Sequence, residues 1–202
     1  MEIGQPVTKR PFIQDLYVVS DSVSVLRSAV LAGAGIVQLR DKSGDQSSIR
    51  EKAREIGMLK GEYQFVFILN DDPALAVEVG ADGVHVGQDM STVEARRIVG
   101  DSLILGKTTH NLAQAREAIS ERADYISVGP VYATPTKPGR PAVGLEYVRE
   151  AAENVEIPFV AIGGIDLSNI RDVLSAGART IGIVRAWRDA AELLALIKGK
   201  EA

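Results

Sequence analysis

The 202-residue chain contains no cysteine. Disulfide bonds, thiolate zinc sites and a cysteine nucleophile are therefore excluded. Any bound metal must be held by oxygen atoms or by the two histidines. The chemistry of the site must therefore rely on oxygen atoms and on cations.

The sequence also lacks the long apolar run that a membrane span requires. No apolar stretch reaches roughly 18 residues, and the start, MEIGQPVTKRPF, has no apolar segment typical of a secretory signal. We therefore expect no membrane association and a cytoplasmic location. The formal net charge of −4 argues against nucleic-acid binding, although cations can still gather around an anionic ligand.

What the chain does contain is a regular series of short apolar, β-branched runs. With 46% hydrophobic and 25% charged residues, the composition is typical of one globular domain. Glycine, asparagine or proline bounds each run, which is typical of strands. The eight candidate strands span 16–20, 35–39, 65–69, 83–86, 102–106, 125–129, 158–163 and 180–184.

Amphipathic stretches such as SIREKAREIGMLK, TVEARRIVG, LAQAREAISE and LSNIRDVLSAGA lie between these runs. Alternating strands and helices indicate parallel strands with helical crossovers. Eight such units favour a single-domain (β/α)8 TIM barrel. The alternative is an open doubly wound sheet, but no G-x-G-x-x-G turn follows the first strand. We predict an N-terminal extension over 1–14 and the barrel over 15–202.

The active site of such a barrel is built from the loops that follow the strands. Polar residues are abundant there, and they include Arg40, Lys42, Asn70, Asp71, Asp72, Gln88, Asp89, Lys107, Thr108, Thr109, His110, Thr134, Thr136, Lys137 and Arg185. Arg40 and Lys42 are two positions apart, so both can point into the barrel mouth, where they suit phosphate oxygens. A surface pair between Arg40 and Asp41 is the alternative.

The acidic residues predict a magnesium site. Asp72 precedes Pro73 as a helix N-cap precedes a proline at the first helical position. Asp71 is therefore the better ligand for a hard divalent cation, although it could be a second capping or solvated carboxylate. Asp89 follows the next strand and could share the ion. Alternatively Asp89 caps the next helix, a role that Ser91 can also fill.

Segment 129–140, GPVYATPTKPGR, indicates a phosphate-binding loop. Thr134, Thr136 and Lys137 supply two hydroxyls and a cation, and the prolines stiffen the chain that presents them. The double glycine at 163–164 allows backbone amides to approach a ligand closely.

The two histidines are less informative. His85 lies inside an apolar strand, so a packed, hydrogen-bonded imidazole is favoured over a catalyst. His110 stands at a strand end, but HNLAQAREA could equally open a helix with Asn111 as its cap. The sequence shows no evident nucleophile and base pair.

The segments QLRDK, ILNDD, ADGVHVGQD, ADYISVGPVYATPTKPG and VAIGGI resemble, in order and spacing, the thiamine-phosphate synthase family. The resemblance covers nearly the whole chain and implies a magnesium-dependent transferase. Such an enzyme joins 4-amino-5-hydroxymethyl-2-methylpyrimidine diphosphate to thiazole phosphate and releases pyrophosphate.

The resemblance also implies three sets of site residues. Gln38, Arg40, Lys42, Asn70, Thr108 and Lys137 would hold the pyrimidine diphosphate; Thr134, Thr136, Gly163, Val184 and Arg185 would face the thiazole phosphate; Asp71 and Asp89 would bind Mg²⁺. Arg40, Lys42, Thr108 and Lys137 would be the catalytic residues.

The chain departs from the family pattern in three places. After Gln88, where Asp89 is followed by Met90, either one acid is missing or the loop is one residue shorter. Serine is more usual at Thr108 and Arg185. Two other functions stay open: a thiazole tautomerase of the same superfamily with His110 as base, and a barrel that binds thiamine phosphates without catalysis. We expect small-molecule substrates, and assembly into a homo-oligomer stays open.

Overall fold

The computed structural model describes residues 15–134 and 141–199. Within them, eight parallel strands form one closed barrel in chain order. Strand β8 pairs with β1, where Leu16 lies opposite Ile181. The strands are β1 Leu16–Ser20, β2 Ile36–Leu39, β3 Val66–Asn70, β4 Gly83–Val86, β5 Ile104–Thr109, β6 Tyr125–Val128, β7 Phe159–Ile162 and β8 Thr180–Ile183. The predicted TIM barrel is confirmed.

The helices cover the outside of the barrel and pack on the strands that precede and follow them. They are α1 Val23–Leu31, α2 Gln46–Leu59, α3 Pro73–Glu78, α4 Thr92–Val99, α5 Leu112–Ser120, α6 Gly144–Asn154, α7 Ile170–Ser175 and α8 Ala190–Ile197, with a 3-10 helix at Trp187–Asp189. Short polar residues start several of them, because a side-chain oxygen satisfies a backbone N–H of the first turn. Asp45, for example, accepts from the amides of Ser47 at 3.0 Å and Ser48 at 3.1 Å.

The core has two layers, because alternate residues of each strand face opposite sides. The larger layer lies between the strands and the helices. The smaller layer lies inside the barrel and consists of Tyr17, Val19, Ile36, Val66, Ile68, Ile104, Tyr125 and Val160. Polar side chains stand on the same interior face nearer the carboxyl ends of the strands, so the interior changes from apolar to polar toward the mouth.

Strand β5 is longer at its carboxyl end than predicted. The predicted run stopped at residue 106, but β5 continues to Thr109. Ile104 faces the barrel interior, so alternation along β5 turns Lys107 and Thr109 outward. Neither lines the cavity at the mouth, so placing them there was wrong. Lys107 donates to the carbonyls of Gly87 at 2.8 Å and Met90 at 2.5 Å, and burial lowers the pKa of its ammonium.

The predicted extension over 1–14 lies outside the residues that the structure describes. Within 15–134 and 141–199, no helix combines the length and the apolar character needed to cross a bilayer.

Candidate active site

The carboxyl ends of the strands open into a cavity of about 1480 Å³. Every predicted site residue that the structure describes lines it, namely Gln38, Arg40, Lys42, Asn70, Asp71, Asp89, Thr108, Thr134, Gly163, Val184 and Arg185. Thr136 and Lys137 lie outside the described residues. The fold therefore collects side chains from β2 through β8 around one opening.

Asp71 and Asp72 make different contacts, and the capping role predicted for Asp72 is confirmed. Asp72 caps α3 by accepting from the amide of Leu75 at 2.9 Å. Asp71 has a left-handed backbone with φ 66° and its amide donates to the carbonyl of His85 at 2.8 Å. This turn leaves the Asp71 carboxylate at the mouth, where it forms an ion pair with Lys42.

Asp89 approaches Asp71 above a shared glycine. A Cβ built on Gly87 would collide with Oδ1 of Asp89 and lie 3.9 Å from Oδ1 of Asp71, so the two carboxylates converge on the space that the missing side chain leaves open. Asp89 is not needed as a cap, because Ser91 accepts from the amide of Glu94 at 3.4 Å.

Two carboxylates suit magnesium, which usually takes one or two from the protein and completes its shell with water and substrate phosphates. In the described segments, no group of three or more histidine or acidic side chains is arranged to hold a metal. An ion held by the two carboxylates would complete its shell with water and substrate oxygens.

Arg40 lines the same wall of the cavity, and its predicted alternative partner is occupied elsewhere. Asp41 pairs with Lys52 at 2.5 Å, so the surface pair between Arg40 and Asp41 is wrong. The hydrogen bond from Lys52, followed by one from the Ser43 amide, lowers the pKa of Asp41 to about 2. Arg40 and Lys42 thus add two cations to the wall that carries the two acids.

A hydrogen-bonded chain crosses the barrel interior beneath this wall. Gln38 Nε2 donates to the Tyr17 hydroxyl at 2.7 Å, which lies 2.9 Å from the Tyr125 hydroxyl. The Tyr125 hydroxyl contacts Nδ1 of His85 at 3.0 Å, and Nε2 of His85 contacts Oγ1 of Thr108 at 3.0 Å. All five side chains are buried, so the interior polar layer is linked from β2 to β5.

The packed, hydrogen-bonded His85 is confirmed, but this residue also lines the cavity, which the sequence analysis did not predict. Tyr17 and Tyr125 were missed as well, since an aromatic residue in an apolar run is typical of ordinary core. Strand alternation could have found Tyr17, because residues 17 and 19 share one face of β1.

His85 brings an imidazole close to two hydroxyls without forming a catalytic triad. Oγ of Ser127 lies 3.4 Å from the same Nε2 that contacts Thr108. In a Ser-His-Asp triad a carboxylate orients the imidazole, whereas Nδ1 of His85 contacts a phenol. This arrangement is suited to holding hydroxyls in place.

The double glycine forms the opposite wall. Gly163 has φ 107° and Gly164 has φ 68°, a region that favours glycine. A Cβ on Gly163 would lie 2.6 Å from Cα of Pro130, and the carbonyl of Gly163 accepts from the amide of Tyr132 at 2.9 Å. The glycines therefore let the chain after β6 pass close by, which brings Thr134 to the cavity.

His110 does not line the cavity. Its Nδ1 contacts the carbonyl of Gly129 at 2.5 Å, and its amide donates to the side chain of Gln114 at 2.8 Å. Asn111 caps α5 through the amide of Gln114 at 2.9 Å. Of the two interpretations left open for this segment, the helix start is confirmed, and a tautomerase base at His110 has no geometric support.

A family model described as thiamine monophosphate synthase matches residues 12–187 of this chain. The chain belongs to that family. The resemblance expected from the sequence motifs is confirmed, and the family accounts for nearly all of the described barrel.

Relatives and solved structures agree with this membership. The thiamine-phosphate synthase of Thermus thermophilus is 51% identical over 164 residues, which are 80% of this chain and 79% of that protein. The thiamine-phosphate synthase of Gloeobacter violaceus is 45% identical over 165 residues, which are 81% of this chain and 48% of that protein. The chain thus spans about half the length of that relative. The thiamine phosphate pyrophosphorylase structure from Pyrococcus furiosus superimposes with a TM-score of 0.82 at 34% identity, covering 91% of this chain and 95% of that one.

The wall after β8 carries two arginines. Arg185 is exposed and lines the cavity. Arg188 lines it too and stacks on Trp187, with its guanidinium carbon 4.5 Å from the ring centroid. The sequence analysis missed Arg188, because it falls past the strand end in a segment with no motif.

Proposed function

We propose that the chain condenses 4-amino-5-hydroxymethyl-2-methylpyrimidine diphosphate with thiazole phosphate, giving thiamine phosphate and pyrophosphate. One observation carries the proposal. Asp71 and Asp89 converge over Gly87 while Lys42 pairs with Asp71 at the same mouth. This wall combines acids for a hard cation with ammonium and guanidinium groups for a diphosphate. The activities named for the relatives support it.

Asp71 and Asp89 would hold Mg²⁺. Bound Mg²⁺ would supply neutralisation of the diphosphate oxygens and of the charge that builds on the leaving pyrophosphate. The ion pair of Asp71 with Lys42 shows that this carboxylate already accepts a positively charged partner.

Arg40 and Lys42 would bind the diphosphate directly, and Lys137 would add a third cation from the loop after β6. The C–O bond to the pyrimidine methylene breaks as the thiazole nitrogen forms its C–N bond with its own lone pair. Negative charge leaves with the pyrophosphate, so fixed cations at this wall stabilise the transition state more than the bound substrate. The nitrogen carries no proton, so the reaction needs no general base from the protein.

The remaining site residues would orient the two substrates. Gln38, Asn70 and Thr108 would hold the pyrimidine diphosphate from the interior polar layer. The loops that follow β6, β7 and β8 would bind the thiazole phosphate through Thr134, Thr136, Gly163, Val184 and Arg185. Holding the two partners on facing walls brings the reacting atoms together, which lowers the entropic part of the barrier.

The deciding experiment mixes the purified chain with both precursors, with and without Mg²⁺, and measures thiamine phosphate and pyrophosphate. Binding of both precursors without pyrophosphate release would support a non-catalytic thiamine-phosphate-binding barrel instead. A cytoplasmic location stays a prediction, as does any homo-oligomer.

Asp89→Ala tests the metal assignment. We expect the magnesium titration of this variant to shift to higher concentration. Ser91→Ala is the matched control, because it removes the α4 cap and leaves the carboxylate in place. Loss of turnover that no magnesium concentration alters, or no loss at all, would contradict the role of Asp89.

A further inference from the structure

The hydrogen-bonded chain inside the barrel has a direction. Gln38 donates an amide proton to the Tyr17 oxygen, so the Tyr17 proton is directed to the Tyr125 oxygen 2.9 Å away. The Tyr125 proton then points at Nδ1 of His85. The reverse order would place two donors, from Gln38 and Tyr125, on the one Tyr17 oxygen. That order would also interrupt the head-to-tail sequence in which each hydroxyl accepts one hydrogen bond and donates the next, an arrangement in which the bonds strengthen one another.

This direction determines which imidazole nitrogen carries the proton. With Nδ1 accepting from Tyr125, the proton of a neutral imidazole sits on Nε2. Nε2 lies 3.0 Å from Oγ1 of Thr108 and 3.4 Å from Oγ of Ser127, so it donates to the nearer Thr108. The hydroxyl proton of Thr108 is then directed away from His85, and Thr108 lines the cavity.

We propose that Tyr17 and Tyr125 are positioning residues, which fix the tautomer of His85 and thereby aim the Thr108 hydroxyl as a donor toward an anionic oxygen of the substrate. The ligand class, a diphosphate, rests on the proposed function. We call the hydrogen-bonded series of Gln38, Tyr17, Tyr125, His85 and Thr108 the relay. The relay rests on the contacts among these five side chains, independently of the ligand.

Two further observations support the relay. Burial raises the pKa of both phenols well above the ordinary value, so each keeps its proton at physiological pH and remains a donor. Strand β5 also leaves room for the relay, because a Cβ on Gly106 would collide with the Tyr125 ring. Gly106 precedes Thr108 on the interior face of the strand.

The neighbouring Thr109 and its partner Tyr147 provide a matched control. Thr109 faces outward, and its hydroxyl contacts the Tyr147 hydroxyl at 2.6 Å. Both tyrosines are buried, with Tyr125 0% and Tyr147 4% exposed. Tyr147→Phe thus removes a buried phenol beside Thr109 without touching the relay, whereas Tyr125→Phe removes one within it.

The test uses ¹⁵N NMR of the histidine rings in the full chain and calorimetric binding of inorganic pyrophosphate in the presence of Mg²⁺. A His110→Asn variant assigns the signals, since the chain has two histidines. We expect His85 of the wild type to carry its proton on Nε2. Tyr125→Phe should give a mixture of tautomers and weaken pyrophosphate binding about 2- to 10-fold, the range for one hydrogen bond. Tyr147→Phe should change neither.

A wild-type His85 protonated on Nδ1 would overturn the relay, as would a Tyr125→Phe variant with an unchanged tautomer and unchanged affinity. The wild-type spectrum shows which nitrogen of His85 carries the proton even if Tyr125→Phe fails to fold. Tyr17→Phe then serves as the second variant, and it should also weaken the tautomer preference. None of these measurements needs turnover, so a failed synthesis assay would overturn the proposed function alone.

Discussion

Replacing Gly163 by alanine should destabilise the fold for two reasons, which a second variant can separate. The first is conformational: φ is 107°, and a positive φ costs an L-residue about 1–2 kcal/mol. The second is steric, because the new Cβ would lie 2.6 Å from both Cα and Cβ of Pro130. Overpacking of this kind costs typically about 1–3 kcal/mol.

Gly80→Ala is the matched control for the conformational cost. Gly80 has φ 67°, and a Cβ there would meet nothing within 4 Å. We therefore expect Gly80→Ala to lower the free energy of unfolding by about 1–2 kcal/mol. Gly163→Ala should lower it by about 2–5 kcal/mol, since it adds the steric cost. Both variants should still fold, because domains of this size have about 5–15 kcal/mol of stability.

Urea unfolding of the two variants and the wild type measures the difference at equilibrium. The synthesis assay then tests the consequence for the site, since moving Pro130 displaces the chain that carries Thr134. We expect Gly163→Ala to lose activity and Gly80→Ala to retain it. Equal stability losses in the two variants would refute the steric argument. Full activity in Gly163→Ala would refute the link between the glycine and the loop after β6.

Three further predictions concern single contacts. Lys107→Met should lower the free energy of unfolding by about 1–3 kcal/mol and shift the magnesium titration upward, because Lys107 holds the carbonyl of Gly87; an unchanged magnesium response would contradict this. Asp72→Ala should lower the free energy of unfolding by about 1 kcal/mol in a urea titration and leave the magnesium response unchanged. Lys52→Met should raise the pKa of Asp41, measured by NMR, from about 2 toward its usual 3.8. Because the folded pKa is the lower one, the stabilisation from this pair is complete above about pH 4 and is lost as the pH falls through about 2.

The barrel could be predicted because its signals are local. Each strand is a short apolar run, and caps such as Asp72 and Asn111 are set by neighbours within three residues. The end of β5 could not be predicted in the same way. Lys107 and Thr109 are polar, but their partners Met90 and Tyr147 lie 17 and 38 positions away in sequence. Such tertiary contacts override the local preference of polar residues for loops.

Residues that line the cavity could be predicted where several charged residues stand close together in the sequence. The two aspartates before Pro73 and the cations at 40 and 42 are unusual enough to stand out. The interior relay is different, because tyrosine serves both as core and as a hydrogen-bonding group. Only the register of the closed barrel shows that Tyr17 and Tyr125 meet across 108 positions of sequence.

The relay also explains how a barrel of this size tolerates a polar interior. A buried polar group destabilises the fold when it lacks a partner but is nearly neutral when its hydrogen bonds are made. Removing one member, such as Tyr125, leaves His85 without the donor that fixes its tautomer. Replacing both partners of a hydrogen bond by apolar groups of the same shape removes donor and acceptor together, and such a change can be nearly neutral or stabilising. Stability alone therefore does not account for the hydrogen-bonded series from Gln38 to Thr108, whereas the proposed aiming of the Thr108 hydroxyl at the substrate would.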